Sequence, residues 1–87
     1  LTPYGGAMPA DATAIAAHAQ ILQSDARALT DCAERLRTIG ARLEADGFAP
    51  RWLREAVDAH LAACATAAAD LTAAAACLRR YADRARH

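Results

Sequence analysis

A large apolar side chain returns at every seventh position from Ile15 to Leu43, through Leu22, Leu29 and Leu36. A small residue follows each of them four places later, at Ala19, Ala26, Ala33, Gly40 and Gly47. In a strand, successive members of a seven-residue repeat would point to opposite faces, because side chains there alternate with a period of two. In a helix the same repeat holds one seam against a neighbouring helix along its whole length. A line of small residues beside a line of large ones lets two helix backbones come close together. The pattern resumes further on with Val57, Cys64, Leu71 and Leu78. Leu61, Ala68, Ala75 and Ala82 run beside that line, and Leu53, His60, Ala67, Ala74 and Tyr81 complete the face.

Between the two patterned stretches lies Asp46-Gly47-Phe48-Ala49-Pro50. Glycine just past a helix end and proline at the start of the next are the usual stop and start signals. The sequence therefore predicts helix 1 over about 11–45, a turn over 46–50 and helix 2 over about 50–86, with Asp11 behind Pro9 as the N-cap. Residues 9–87 form the helical hairpin in this reading. Residues 1–8, Leu-Thr-Pro-Tyr-Gly-Gly-Ala-Met, lack the periodicity and are expected to be a disordered N-terminal segment or a non-native extension. A short turn forces the two helices to be antiparallel neighbours, so the fold class is all-α.

Composition explains why a hairpin alone is a poor resting place. Of 87 residues, 27 are alanine, and each contributes a single methyl to any core. A chain this short buries a limited share of its surface. Pairing of two hairpins into a four-helix bundle is the expected remedy. Ten arginines, with no lysine, balance ten acids. That neutrality argues against nucleic-acid binding, which needs a basic face. No signal peptide and no membrane span are expected, since Leu61–Leu78 is mostly alanine and is interrupted by Thr66, Asp70 and Thr72. Acids and arginines are interspersed as in Asp31 and Arg35, an i,i+4 pair.

The cysteines offer the sharpest local chemistry. Cys32 and Cys64 lie about equally far from the turn and on or beside the apolar lines, so a disulfide between them would staple the hairpin. Two packed free thiols are the alternative. Cys77 is the odd one, inert or available to pair between chains. His60 and Cys64 share a helix face at i,i+4, and with Cys32 they outline a weak metal-ligand set. An interfacial histidine with two packed cysteines is preferred, and neither metal nor cofactor is expected. Glycine-rich phosphate loops and serine nucleophile elbows are absent from the sequence, and an alanine seam leaves no substrate-sized pocket, so no enzyme is expected. Trp52 and Phe48 flank the turn, where they either cap the hairpin core or anchor a partner, and capping is favoured.

The combination of Trp52 at the turn, Tyr81 near the end of helix 2 and an alanine-rich second helix from His60 to Asp83 resembles the small helical-hairpin proteins of type VII (ESX) secretion. The likeness is to the WxG-like members and most to the EspC-type branch. It covers most of residues 10–86, mainly as architecture. Two departures stand out. The family's Trp-x-Gly reads Trp52-Leu53-Arg54 here, and the Tyr-x-x-x-acid export signal beginning at Tyr81 ends on Ala85.

The resemblance implies an exported substrate, or the partner that accompanies one, acting as a homo- or heterodimer of hairpins. Tyr81 would be read by the secretion ATPase or a chaperone, with Arg79, Arg80 and Arg84 orienting it and Trp52 and Phe48 adding partner contacts. Secretion or placement in the cell envelope would follow, without a classical signal peptide. A cytoplasmic adaptor for the helical N-terminal region of a larger toxin is the alternative, and a Cys/His metal-binding bundle is a further one.

Overall fold

The structure is a computed structural model that describes residues 3–86, with Leu1, Thr2 and His87 outside the described residues. Two helices, α1 (Pro3–Ala45) and α2 (Arg51–Arg86), lie side by side as an antiparallel hairpin. At 1.5 Å per residue the 43 residues of α1 run about 65 Å, which accounts for the 71 × 15 × 15 Å outline. Among the described residues there is no strand.

The core is the line of small residues. Ala12, Ala19, Ala26 and Ala33 are buried on α1, each one heptad from the next, and they meet Cys64, Ala75 and Ala82 on α2. The leucine line beside them, Ile15, Leu22, Leu29, Leu36 and Leu43, is only half-buried. So are Leu53, Val57, Leu61, Leu71 and Leu78 on α2. The large residues therefore flank the contact and the methyl groups fill it. Gly40 extends the small line toward the turn, where a Cβ placed on it would lie 3.5 Å from Cγ1 of Val57, an ordinary packing distance.

Gly47 ends α1 in the left-handed region, at φ 73°. Phe48 N–H donates to the Leu43 carbonyl at 3.2 Å and Gly47 N–H to the Glu44 carbonyl at 3.1 Å. These two bonds make a Schellman cap, which satisfies carbonyls that the helix itself leaves open. Only open space surrounds the position of a Cβ at Gly47, so its backbone angle, rather than crowding, calls for glycine. Pro50 sits just ahead of α2 rather than inside it, and its carbonyl accepts from Leu53 and Arg54 N–H at 3.0 and 3.2 Å.

The N-terminus departs from the sequence expectation. The backbone is helical from Pro3, so residues 3–8 continue α1 and Asp11 is an interior, exposed residue rather than the N-cap. Pro3 occupies a first-turn position, where no amide hydrogen bond is lost. Pro9 gives up only the bond to the carbonyl of residue 5.

The two glycines near the turn should respond in opposite ways. Gly47→Ala is expected to lower stability by about 1 kcal/mol, because alanine resists positive φ. Gly40→Ala should raise it by about 0.5–1 kcal/mol through helix propensity, since the added methyl fits. Urea unfolding followed by circular dichroism reads both, and a destabilised Gly40→Ala would show a contact with Val57 tighter than the one described.

Candidate functional site: the two sides of the hairpin

The seam divides the outer surface of the hairpin into two unlike sides. On one side Gln23, Arg27, Thr30, Arg37 and Glu44 of α1 border Arg54, Asp58, Thr72 and Arg79 of α2, with Leu43, Val57 and Leu61 among them near the turn. Arg79 Nη2 donates to Gln23 Oε1 at 3.0 Å, and Arg54 Nε approaches Glu44 Oε1 at 3.4 Å. Both of these helix-to-helix polar contacts between side chains lie on this side. Other ion pairs are local, between Arg37 and Glu34 and between Arg51 and Glu55 at 3.4 Å. The pair expected between Asp31 and Arg35 does not form; Arg37 reaches Glu34 instead. These pairs are solvent-exposed and add little stability.

The opposite side carries fewer charged residues. A groove there is lined by Cys32, Leu36 and Ile39 of α1 and by Ala56, Val57 and His60 of α2, with Arg35 at its edge. Heptad spacing extends the same side along the molecule through Ile15, Leu22 and Leu29 on α1 and through Leu53, Ala67, Ala74 and Tyr81 on α2. Ile21 and Ile39 are 54% and 52% exposed, and Tyr81 is 48% exposed. Exposed apolar residues are common on folded surfaces.

The aromatic residues at the turn do not cap the core. Phe48 is 78% exposed and Trp52 is 69% exposed. The cap geometry carries Phe48 out past the helix end, and Trp52 lies one residue before Leu53, about 100° around α2. Both lie at the turn end of the hairpin, and Tyr81 stands toward the open end. Arg80, Tyr81 and Arg84 are exposed, whereas Arg79 turns to the polar side to reach Gln23. The arginines thus do not act as one group around the tyrosine.

All three cysteines are free. Cys64 is buried in the seam, in a space shared with Thr30, Ala33 and Leu61, while Cys32 is exposed on the apolar rim beside His60. The expected Cys32–Cys64 bridge fails by one residue. Ala33 is the α1 residue that faces Cys64, and Cys32 is rotated about 100° from it. The same rotation separates the proposed metal ligands, and among the described residues no group of three or more His, Cys, Asp or Glu is placed to hold a metal ion. Cys77 is exposed and accepts a hydrogen bond from Arg80 Nη2 at 3.3 Å.

By length and composition α2 is apolar enough to cross a membrane, with an 18-residue window of mean hydropathy 1.6 that is 11% buried in the hairpin. That value comes largely from alanine, whose methyl group removes little surface from water. The polar side was the feature that sequence reasoning missed. Its signal is a second heptad line, Gln23, Thr30, Arg37 and Glu44, on the flank of the alanine seam opposite the leucines. Comparison with protein-family models, curated proteins and solved structures yields no match.

Thiol chemistry separates the two placements. In the folded protein Cys32 and Cys77 should react promptly with a thiol reagent, and Cys64 only on unfolding. A chain with a single reactive thiol, its mass lower by the two hydrogens lost to a disulfide, would contradict the free seam cysteine.

Proposed function

We propose that this protein is a recognition module that works by pairing its apolar side with a second helical hairpin to form a four-helix bundle. One observation carries the reading. The Arg79–Gln23 and Arg54–Glu44 bonds between the helices lie on one side of the hairpin, while Cys32, Leu36, Ile39, Ala56 and Val57 line a groove on the other, which the heptad repeat continues through Leu22 and Leu29. Burying such a row is worth about 25 cal/mol per Å² of apolar surface, and a hairpin alone leaves that gain unrealised.

Within that reading, a role in type VII secretion, as an exported substrate or as its dimerisation and targeting partner, is supported by the hairpin, by the exposed Trp52 at its turn and by the exposed Tyr81 near the end of α2. Export would place the protein outside the cell or in its envelope. A cytoplasmic adaptor for the helical head of a larger toxin is the second reading, and Ala85 favours it by interrupting the Tyr-x-x-x-acid signal. In both, function is recognition by a surface and the chain carries no chemical step of its own.

Sedimentation equilibrium across the micromolar range tests the pairing. Ile39→Asp should weaken association about tenfold or more, and Arg27→Glu, on the polar side, should leave it unchanged. Equal effects of the two would remove the sidedness on which the reading stands. For the secretion role, Tyr81→Ala should abolish appearance of the protein in the culture medium, and unchanged export would reject that role for Tyr81.

A further inference from the structure

We propose that Thr38 is a phosphorylation site, modified by a protein kinase that reads arginine ahead of the acceptor hydroxyl, and that Arg35 and Arg42 then hold the phosphate on the outer face of α1. The local sequence is Arg35-Leu36-Arg37-Thr38-Ile39. An arginine three places before the hydroxyl and an apolar residue just after it are what such kinases bind, the arginine through charge-assisted bonds to a carboxylate. Nothing in this assignment draws on the hairpin pairing, so either can fail alone.

Helix geometry supplies the second half. Residues three and four apart on a helix are neighbours, with about 5–6 Å between their Cβ atoms. Arg35 stands three places before Thr38 and Arg42 four places after it, and all three side chains are exposed. Among the described residues no acid pairs with either guanidinium. Glu34 is the one acid of α1 within a turn of Thr38, and Arg37 already neutralises it. Two unpaired cations thus flank an exposed hydroxyl, and a phosphothreonine carries a charge of about −1.5 to −2 at pH 7. No other serine or threonine of residues 3–86 is so placed. Thr30 has Arg27 three places before it but Glu34 four places after, and Thr13, Ser24, Thr66 and Thr72 have no arginine at either position.

Thr38 Oγ1 donates to the Glu34 carbonyl at 3.1 Å, a local bond that competes with the helix more than it supports it. A kinase takes its substrate extended, so α1 must open around residue 38. Gly40 lies two places on, where glycine weakens a helix by about 1 kcal/mol relative to alanine, and α1 ends at Ala45. Both lower the cost of local opening toward the turn. In the transfer Thr38 Oγ1 bonds to the γ-phosphorus of a nucleoside triphosphate and the bond from that phosphorus to the bridging oxygen breaks. The nucleoside diphosphate leaves with the electron pair, and the hydroxyl proton passes to the catalytic aspartate of the kinase. Once α1 re-forms, the phosphate draws Arg35 from its place at the edge of the groove beside Leu36 and Ile39, so the charge on that groove changes with the modification.

The test uses the folded full chain with the catalytic subunit of the cyclic-AMP-dependent protein kinase, magnesium and ATP. Intact-mass and fragment spectra should show one added phosphoryl group, on Thr38. Thr38→Val should abolish the uptake and Thr38→Ser retain it, with circular dichroism showing that both stay helical. Arg35→Ala should slow the initial rate about tenfold or more, the worth of one charge-assisted hydrogen bond. No uptake by the folded chain, uptake on another residue, or an unchanged rate in Arg35→Ala overturns the assignment. Phosphorus NMR reads the clamp. The phosphate should titrate about one pH unit below its ordinary value of about 6, and Arg42→Gln should move it back toward that value. A phosphate that titrates at its ordinary value with both arginines present overturns the clamp.

Discussion

Everything in this molecule depends on how closely two helices can approach when methyl groups are all that separates them. Ala12, Ala19, Ala26 and Ala33 are buried on α1, and no large side chain is fully buried anywhere among the described residues. A seam of this kind fixes register sharply, because a shift of one residue would bring a larger side chain into a gap built for a methyl. It also yields little hydrophobic free energy per residue, since the large side chains are left at the margin. The closeness that defines the hairpin is the same property that leaves its leucines half-exposed.

The asymmetry of the surface follows from which flank of the seam each residue type occupies. On α1 Leu22, Leu29 and Leu36 fall on one flank and Gln23, Thr30, Arg37 and Glu44 on the other, with Leu43 meeting Arg37 and Glu44 near the turn. On α2, Arg54 and Arg79 fall on the flank that meets the polar line, and Leu53 and Tyr81 on the flank that meets the leucines. The polar side is finished, with its cross-helix bonds made within the hairpin. On the other side Leu22, Leu29 and Leu36 stay half-buried. Recognition through that side is the role we propose for this layout, and a secretion or adaptor role would draw on it in the same way.

Much of the fold was legible because heptad spacing is a long-range signal repeated many times over. The turn was legible because Gly47 and Pro50 each have a specific backbone reason for their place. Single-residue rotations were harder to read. Cys32 and Ala33 are neighbours in sequence, yet one lies on the rim and the other faces Cys64, and only the helix phase separates a bridge from two free thiols. Trp52 and Phe48 were expected to cap the core, but the Schellman cap and the start of α2 turn them outward. The early start of α1 was hidden by glycines and prolines that disfavour a helix without forbidding one.

The central claim is that the apolar side is covered along its length. Small-angle X-ray scattering over a dilution series measures this most directly, because it reads length and cross-section separately. The account predicts that, as concentration rises, the mass per unit length doubles while the longest dimension stays near that of a single 71 Å hairpin. A cross-section that never changes, or growth in length at constant cross-section, would contradict it.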